Sequence, residues 1–448
     1  MRTGRRTPHS GTRPTGVLRP GRPERTGPLV LALAACLTAA ACGTVPGAGP
    51  TPTTPAEPRP PSSAVSASAA PVSPSALASP TPARPSTPEP GTPRPTATPT
   101  PATVRCADLA RSLSLRNQVG QLLMVAVSSG GVSSGAANAI DDSRAGSVLL
   151  LGNTTAGVDR VASVIDRARR AARTPGDIET LVAADQEGGQ VQRLQGKGFD
   201  RIPSAQRQAQ DPPAELESDA ARWGRQLKRA GVDADLAPVA DVVPKNLQNR
   251  NQPVGVLRRG YGSDPSAVAS HVSAFVRGMD DAGMATSLKH FPGLGRVLGN
   301  TDVTSQVVDD TTTRRDPSLK PFAAGIDAGT DMVMVSSAFY PRIDRSRRAA
   351  FSPAVITGML RGDLGFTGVV ISDDLAAVAM QDVSPGQRML RFVRAGGDLA
   401  IVGDPALAAR MADALVDEAG DDPELAAAVE ASTRRVLQLK DRRGLADC

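Results

Sequence analysis

The stretch Gly368-Val369-Val370-Ile371-Ser372-Asp373-Asp374-Leu375 joins a short apolar run to two acidic residues. A short, continuous apolar run is typical of a strand that is buried on both faces of a parallel sheet. We therefore predict a strand over residues 368–372, with Asp373 directly after its C-terminal end. The same pattern recurs along the chain, and this repetition decides the fold.

Seven further apolar runs predict strands at residues 122–127, 147–151, 180–184, 234–238, 285–289, 332–335 and 399–402. Amphipathic stretches lie between most of them and predict helices, for example at residues 161–172, 215–230 and 265–282. Strands that alternate with helices form parallel sheets. Eight such units in residues 104–448 predict an α/β fold of the (β/α)8 barrel type. A doubly wound sheet is the alternative, although no G-x-G-x-x-G follows a predicted strand.

Residues 1–42 have the pattern of an export signal, with an Arg-rich start, an apolar run at 29–41 and small residues before Cys42. The run is too short to span a bilayer. We predict a lipoprotein-type signal peptide with lipid attachment at Cys42, and hence an extracytoplasmic protein anchored to the membrane. Cys36, which follows Leu-Ala-Ala, is the alternative attachment residue. Signal cleavage without a lipid, giving a secreted protein, is a third interpretation.

Residues 43–103 consist largely of Pro, Thr, Ser and Ala and contain little that could be buried. Such a segment cannot offset its ordering entropy, so we predict a disordered linker before the barrel domain. The formal net charge is +6, and the seven arginines and one glutamate of residues 1–42 account for all of it. The charge therefore gives no support to nucleic-acid binding, and an aromatic content of 2% leaves few side chains for base stacking.

The motifs of several enzyme classes are missing from the sequence. The only histidines are His9, His271 and His290, and the sequence contains no H-E-x-x-H, no cysteine cluster, no P-loop and no nucleophile elbow after a strand. We therefore expect neither a metal site nor a cofactor. Carboxylate chemistry remains, which is how most glycosidases work.

Polar residues follow the predicted strands at equivalent positions. They are Asp185-Gln186-Glu187, Asp241, Lys289-His290, Ser336-Ser337 and Ser372-Asp373-Asp374. In a parallel barrel the C-terminal strand ends meet at one mouth, where active sites are found. The sequence thus predicts a polar pocket at this mouth.

Three stretches resemble family 3 glycoside hydrolases, most closely the single-domain β-N-acetylglucosaminidase (NagZ-type) branch. They are DQEGGQVQRL at 185–194, KHFPG at 289–293 and GVVISDDL at 368–375. Further support comes from RNQVGQLLM at 116–124, APVADV at 237–242 and RGYGSDP at 259–265. The resemblance extends in order over residues 106–448. It implies a carbohydrate substrate with a terminal β-linked N-acetylhexosamine, and we expect this substrate to come from the cell wall.

By this resemblance Asp373 is the nucleophile of a retaining mechanism. The alternative for Asp373 is a helix N-cap. The resemblance also assigns a set of residues to the terminal sugar: Asp185, Arg193, Arg259, Lys289 and His290. A buried structural network is the alternative for these side chains. The residues just before Arg259 depart from the family spacing.

The acid/base segment departs further from this branch, which carries PGHG and then an Asp-Ser-His sequence with the catalytic histidine. Here Leu294 replaces the first histidine, and Asn300-Thr301-Asp302 follows. Asp302 is our candidate acid/base. Alternatively, the dyad is lost and the protein binds wall sugar without efficient turnover, or Asp302 is a turn residue. A β-glucosidase is a further alternative, because family 3 includes many.

Cys106 and Cys448 lie almost at the two ends of the folded region. In an oxidising exterior they can pair and tie the first helix of the domain to its C-terminus. Two unpaired thiols are the alternative. We expect the enzyme to act as a monomer.

Overall fold

The computed structural model describes residues 101–448, with side chains from residue 104. The predicted signal peptide, the lipid-attachment candidates Cys36 and Cys42, and nearly all of the predicted linker lie outside the described residues. Within the described range, no helix is both long and apolar enough to cross a membrane.

Eight parallel strands form the central sheet. In chain order, β1 to β8 are Leu123–Ser128, Ser147–Leu151, Leu181–Ala184, Ala234–Asp235, Ala285–Phe291, Met332–Val335, Val369–Ser372 and Ala400–Val402. Each strand pairs with the next from β1 to β7, and β8 pairs with β1. A parallel bridge joins Ile371 to Leu399 across the remaining seam. The sheet is therefore a nearly closed barrel, and the prediction of eight strands is confirmed.

The strand bounds differ most from the prediction at β4 and β5. Strand β4 ends at Asp235 rather than at Pro238. The chain nevertheless continues alongside β5, where Val239 forms a parallel bridge with Lys289. Strand β5 extends two residues beyond the prediction, to Phe291.

Helices cover the outside of the barrel. In chain order, α1 to α11 are Pro101–Ser112, Leu115–Gln121, Ser134–Ser143, Val158–Ala171, Ala205–Gln208, Pro213–Arg229, Pro265–Asp281, Lys320–Asp327, Pro385–Arg394, Ala408–Asp421 and Pro423–Arg442. A π-type helix, Ala354–Asp363, follows β6. Helix α7 begins where the sequence predicts, because Asp264 accepts hydrogen bonds from the amides of Ser266 and Ala267.

The barrel interior is filled by alternate residues of the strands and by Leu236, which directly follows β4. They include Met124, Leu149, Leu181, Ala183, Leu236, Met332, Met334, Ile371 and Ile401. Successive side chains of a strand point to opposite faces, so the intervening residues pack against the helices. Burial of each large side chain contributes about 2 kcal/mol.

Helix α11 closes the N-terminal end of the barrel. The ammonium of Lys440 donates hydrogen bonds to Gln121 Oε1 at 2.7 Å and to the carbonyl oxygens of Gly146 and Glu179 at 2.8 Å each. Burial lowers the pKa of Lys440 to about 7. Nearby, Cys106 in α1 forms a disulfide with Cys448, which follows it by 342 residues. The opposite end, at the C-terminal ends of the strands, remains open.

Candidate active site

A pocket of about 290 Å³ opens at the C-terminal ends of the strands. Its lining includes all seven residues that the sequence singled out for catalysis and sugar binding: Asp185, Arg193, Arg259, Lys289, His290, Asp302 and Asp373. The strands place four of these residues at the pocket. Asp185 directly follows β3, Lys289 and His290 belong to β5, and Asp373 directly follows β7.

A hairpin follows Asp185 and shapes one wall of the pocket. Residues Gln186–Gly188 pair in antiparallel fashion with Val191–Gln192. Gly188 and Gly189 make the turn with φ values of 98° and 59°, which other residues rarely adopt. A Cβ atom at Gly188 would also lie 2.2 Å from the carbonyl oxygen of Pro203. The glycine pair therefore serves the turn.

Lys289 lies at the centre of a buried ionic network. Its Nζ is 2.6 Å from Asp185 Oδ1 and 2.6 Å from Glu187 Oε1. Its side chain is only 2% exposed. The two carboxylates balance the buried ammonium, and they raise the pKa of Lys289 although burial acts in the opposite direction.

Arg259 joins the same network through a bidentate ion pair. Its Nε and Nη2 donate to the two oxygens of Glu187 at 2.8 and 2.7 Å, and its Nη1 donates to the carbonyl oxygen of Pro253 at 2.7 Å. Burial alone would raise the pKa of Glu187, but the charges of Arg259 and Lys289 hold it at about 2. Glu187 thus stays ionised and fixes both cations.

His290 is oriented by Asp241. Its Nδ1 is 2.8 Å from Asp241 Oδ2, and its backbone amide donates to Asp241 Oδ1 at 3.1 Å. A carboxylate only accepts hydrogen bonds, so Nδ1 carries a proton. The amide of Leu294 also donates to Asp241 Oδ1, at 2.8 Å. Asp241 therefore holds His290 of β5 and the backbone at Leu294 together, and Leu294 is the residue that stands where the related enzymes have a histidine.

Arg193 is the least constrained cation of the pocket. Its Nη1 donates to Asn153 Oδ1 at 3.2 Å, and its Nε is 3.9 Å from Asp185 Oδ2. The side chain is 29% exposed. Its remaining donors are thus available to a hydroxyl-bearing ligand.

Asp373 is presented by the backbone at the end of β7. Its amide donates to the carbonyl oxygen of Val335 at 3.1 Å, and its Oδ1 accepts from the amide of Asp374 at 2.9 Å. Burial raises the pKa of Asp373 to about 6, the charge of Asp302 adds to this rise, and His290 opposes it. A carboxylate that is costly to ionise in its site is typical of functional positions.

Neither Asp373 nor Asp374 caps a helix, and it is Asp374 that binds the backbone of the segment after β7. Asp374 Oδ1 accepts hydrogen bonds from the amides of Ala376 and Gly403 at 2.8 Å each. The α-helix that follows β7 begins only at Pro385. The Asp373 carboxylate therefore faces the pocket without serving a helix.

Asp302 lies at the rim, on an exposed loop that docks against the segment after β7. The carbonyl oxygen of Asp302 accepts from the amide of Val378 at 3.3 Å, and that of Thr301 accepts from Ala379 at 3.1 Å. The Asn300 side chain accepts from the Asp302 amide at 3.1 Å, as in an Asx turn. The turn interpretation thus describes the backbone, while the side chain lines the pocket.

A carboxylate at the floor, a second at the rim and a set of fixed donors can support acid/base and nucleophilic chemistry on a sugar. Within residues 101–448, no group of three or more His, Cys, Asp or Glu side chains is arranged to hold a metal ion.

The profile of the Glycosyl hydrolase family 3 N terminal domain matches residues 114–439. The chain belongs to the family 3 glycoside hydrolases. It is therefore a glycosidase, and the resemblance noted in its motifs is confirmed.

Relatives and solved structures support this membership. The family 3 enzyme is 37% identical to a β-hexosaminidase of Xylella fastidiosa over 306 residues, which cover 66% of this chain and 86% of that relative. It is also similar to the crystal structure of a β-N-acetylhexosaminidase from Beutenbergia cavernae, at 46% identity and a TM-score of 0.71, over 72% of this chain and 98% of that one. A family 3 β-N-acetylglucosaminidase from Paenibacillus is 31% identical, with a TM-score of 0.67, over 75% and 64% of the two chains.

Sequence reasoning assigned no role to Glu187 or Asp241 in this family 3 enzyme. Both stand in the quoted motifs, Glu187 two residues after Asp185 and Asp241 near the end of APVADV. Their positions after predicted strands indicated that both lie at the mouth of the barrel. Their partners were not visible, because Arg259 and Lys289 lie 72 and 102 residues after Glu187, and His290 lies 49 residues after Asp241.

Proposed function

We propose that this glycoside hydrolase removes terminal β-linked N-acetylhexosamine residues with retention of configuration, with Asp373 as nucleophile and Asp302 as acid/base. One observation carries the proposal: both carboxylates line the same pocket as the network of Asp185, Arg259 and Lys289. The names of the relatives support the substrate, because they are β-hexosaminidases and β-N-acetylglucosaminidases.

The pocket floor supports action at a chain end. Leu149, Leu236 and Met334 of the barrel interior line the pocket from below. The cavity is therefore closed toward the barrel core and open only at the mouth. A closed cavity receives a terminal sugar, while the rest of the glycan extends outward past the rim.

In the first step, Asp373 attacks the anomeric carbon as the bond to the leaving oxygen breaks, and Asp302 donates a proton to that oxygen. In the second step, Asp302 takes a proton from water, the water oxygen attacks the anomeric carbon, and Asp373 is released. Asp185, Arg193 and Lys289 hold the sugar hydroxyls, since these side chains supply both acceptors and donors.

A second candidate is a sugar-binding protein with impaired turnover. The exposure of Asp302 favours it, because no hydrogen bond among the described residues holds its carboxyl in place beside a leaving oxygen. Both candidates use the same sugar network. They differ in whether Asp302 takes part in bond cleavage.

Aryl β-N-acetylglucosaminides with good and poor leaving groups separate the candidates. We expect Asp302→Ala to slow the poor substrate by about 100-fold or more and the good one much less, because only the poor one needs protonation. Azide should restore turnover of the activated substrate by Asp302→Ala. Asp310→Ala, which changes another exposed acid of the same loop, is the matched control.

Equal losses on both substrates would remove Asp302 from the acid/base role. Sugar binding by the wild type without turnover of either substrate would establish the binding protein instead.

We further propose that the enzyme acts as a monomer on cell-wall fragments, held at the extracytoplasmic face of the cell membrane by a lipid on Cys42. The lipid anchor rests on the signal-like residues 1–42, with the Pro-rich segment 43–103 as its spacer. Metabolic labelling with a radioactive fatty acid tests it. We expect Cys42→Ser to abolish the label and Cys36→Ser to keep it, whereas the opposite result would place the lipid on Cys36.

A further inference from the structure

Two loops beside the pocket carry positive charge without acidic partners. Residues 201–210, after β3, and residues 244–258, after β4, contain no Asp or Glu. Their five exposed cations are Arg201, Arg207, Lys245, Arg250 and Arg258, which we call the basic ledge. Among the described residues, none of the five forms a salt bridge, since every ion pair of the structure involves other side chains.

Two grooves lie beside Arg201 and Arg258 of the basic ledge. One has a volume of about 470 Å³ and is lined by Arg201, Arg258, Gln190 and Ser204, among others. The other, of about 270 Å³, is lined by Arg258 together with Gln206, Gln248 and Asn249. Arg258 borders both grooves. The first groove combines guanidinium, amide and hydroxyl donors, which suit an anionic oxygen ligand.

The backbone at Arg258 is held in an uncommon conformation. Its φ is 56°, in the left-handed region that residues other than Gly, Asn and Asp rarely adopt. Its amide donates to Gly255 O at 3.0 Å, and its carbonyl oxygen accepts from the Gln206 amide at 3.3 Å. Its two neighbours, Leu257 and Arg259, line the catalytic pocket. The basic ledge therefore begins at the pocket mouth, and the loop contacts fix Arg258 there.

The pocket itself offers little net positive charge to an anion. Glu187 and Asp185 neutralise Arg259 and Lys289, and the rim and floor carry Asp302, Asp373 and Asp374. An N-acetylhexosamine is neutral, so its binding there needs no further cation. A negative group of the substrate would have to lie beyond the scissile bond, where the glycan passes the mouth.

We propose that the basic ledge binds carboxylate or phosphate groups carried by the leaving part of the substrate. The inference rests on the proposed function, because it takes the neutral terminal sugar to occupy the pocket. The ledge would favour anionic glycans over neutral ones by electrostatic attraction and by hydrogen bonds from Arg201 and Arg258.

A matched set of substrates tests the basic ledge. The set is a β-N-acetylglucosaminyl disaccharide whose second sugar carries a carboxylate, its neutral amide and the corresponding phosphate ester. For the wild type we expect kcat/KM to be about tenfold higher with either anion than with the amide, and the advantage to shrink at high salt. For Arg201→Gln/Arg258→Gln we expect the advantage to disappear through KM, with the amide changed less than twofold.

Two further variants control for misfolding and for a general loss of positive surface charge. Arg258→Gly suits the positive φ and replaces Arg258→Gln if the latter folds poorly. Arg160→Gln/Arg167→Gln removes two exposed cations of α4, which do not line the pocket or its grooves, and should leave the anionic advantage intact.

Equal rates for all three substrates in the wild type would overturn the ledge proposal while leaving the hydrolase intact. If the wild type cleaves none of them, the proposed function fails. Calorimetry then tests the ledge separately, because tighter binding of the two anionic compounds than of the amide would support it and equal binding would overturn it. Loss of binding to anionic phospholipid vesicles in the variant, with unchanged substrate discrimination, would assign the ledge to the membrane and also overturn the proposal.

Discussion

Glu187 Oε1 lies 2.6 Å from the ammonium of Lys289, and the same carboxylate accepts two hydrogen bonds from Arg259. All three charges are largely buried, and Arg259 and Lys289 line the pocket. Two cations held by one carboxylate cannot reorient independently, so the proposed donors for the sugar are fixed before a ligand arrives. Such preorganisation lowers the cost of binding.

Replacing Glu187 with Gln tests this arrangement. The variant leaves two buried cations with one carboxylate, Asp185, so we expect the free energy of unfolding to fall by about 3 to 5 kcal/mol. We also expect kcat/KM to fall at least tenfold, mainly through KM. Urea denaturation and steady-state kinetics measure the two effects.

Asp200→Asn is the control for this variant, because it breaks an exposed ion pair with Arg222. Exposed pairs contribute at most about 1 kcal/mol, so its stability and kinetics should stay near those of the wild type. Similar losses in both variants would show that Glu187 has no special role.

As the proposed nucleophile, Asp373 must be ionised to attack, so the pH dependence of kcat/KM should report on its carboxyl. Its pKa is raised to about 6, so activity should rise as the pH increases through 6. The Asp302 charge contributes to that rise. In Asp302→Asn the acidic limb should therefore move to lower pH, measured with a substrate that needs no protonation. An unchanged limb would mean that the two carboxylates do not interact.

The free energy of unfolding should also depend on the ionisation of Asp373, because the ionised carboxylate destabilises the folded state. Between the ordinary pKa of 3.8 and the folded value of about 6 the folded state binds more protons than the unfolded state, so its stability falls as the pH rises. At pH 7.5, Asp373→Asn should thus increase the free energy of unfolding by up to about 3 kcal/mol, less where water reaches the pocket. At pH 4 the gain should nearly vanish. A variant less stable than the wild type at pH 7.5 would refute this prediction.

The disulfide closes almost the whole described domain into one loop. Replacing both Cys106 and Cys448 with Ser removes a constraint on the unfolded chain and should lower the free energy of unfolding by about 2 to 5 kcal/mol. A reducing agent should produce a comparable loss in the wild type and none in the double variant. Equal stability of the two proteins would show that the link contributes nothing.

The fold could be predicted because each strand is a short apolar run followed by polar residues. The GVVISDDL stretch predicts both β7 and the position of Asp373 at its end, since strand periodicity and strand order need no distant contact. The end of β4 was misplaced because the chain beyond Asp235 still runs beside β5, with Val239 bridged to Lys289. The apolar sequence after Asp235 does not distinguish a strand that is paired throughout from a segment that only runs alongside its neighbour.

The sequence predicted which residues line the site, but it did not predict which of them form ion pairs with one another. Polar residues at the strand ends and the family resemblance brought Asp185, Lys289 and Asp373 together. The bidentate contact between Glu187 and Arg259 depends on how two loops fold across the mouth. The position of the Asp302 loop likewise depends on its backbone contacts with Val378 and Ala379, which local sequence does not encode.

Trapping of the covalent intermediate tests the central claim most directly. A fluorinated N-acetylglucosaminide with a good leaving group should accumulate as a glycosyl-enzyme, and peptide mass spectrometry should find the added sugar on Asp373. Labelling of Asp302 or Asp374 in its place, or release of product with inverted configuration and no labelled protein, would contradict the account.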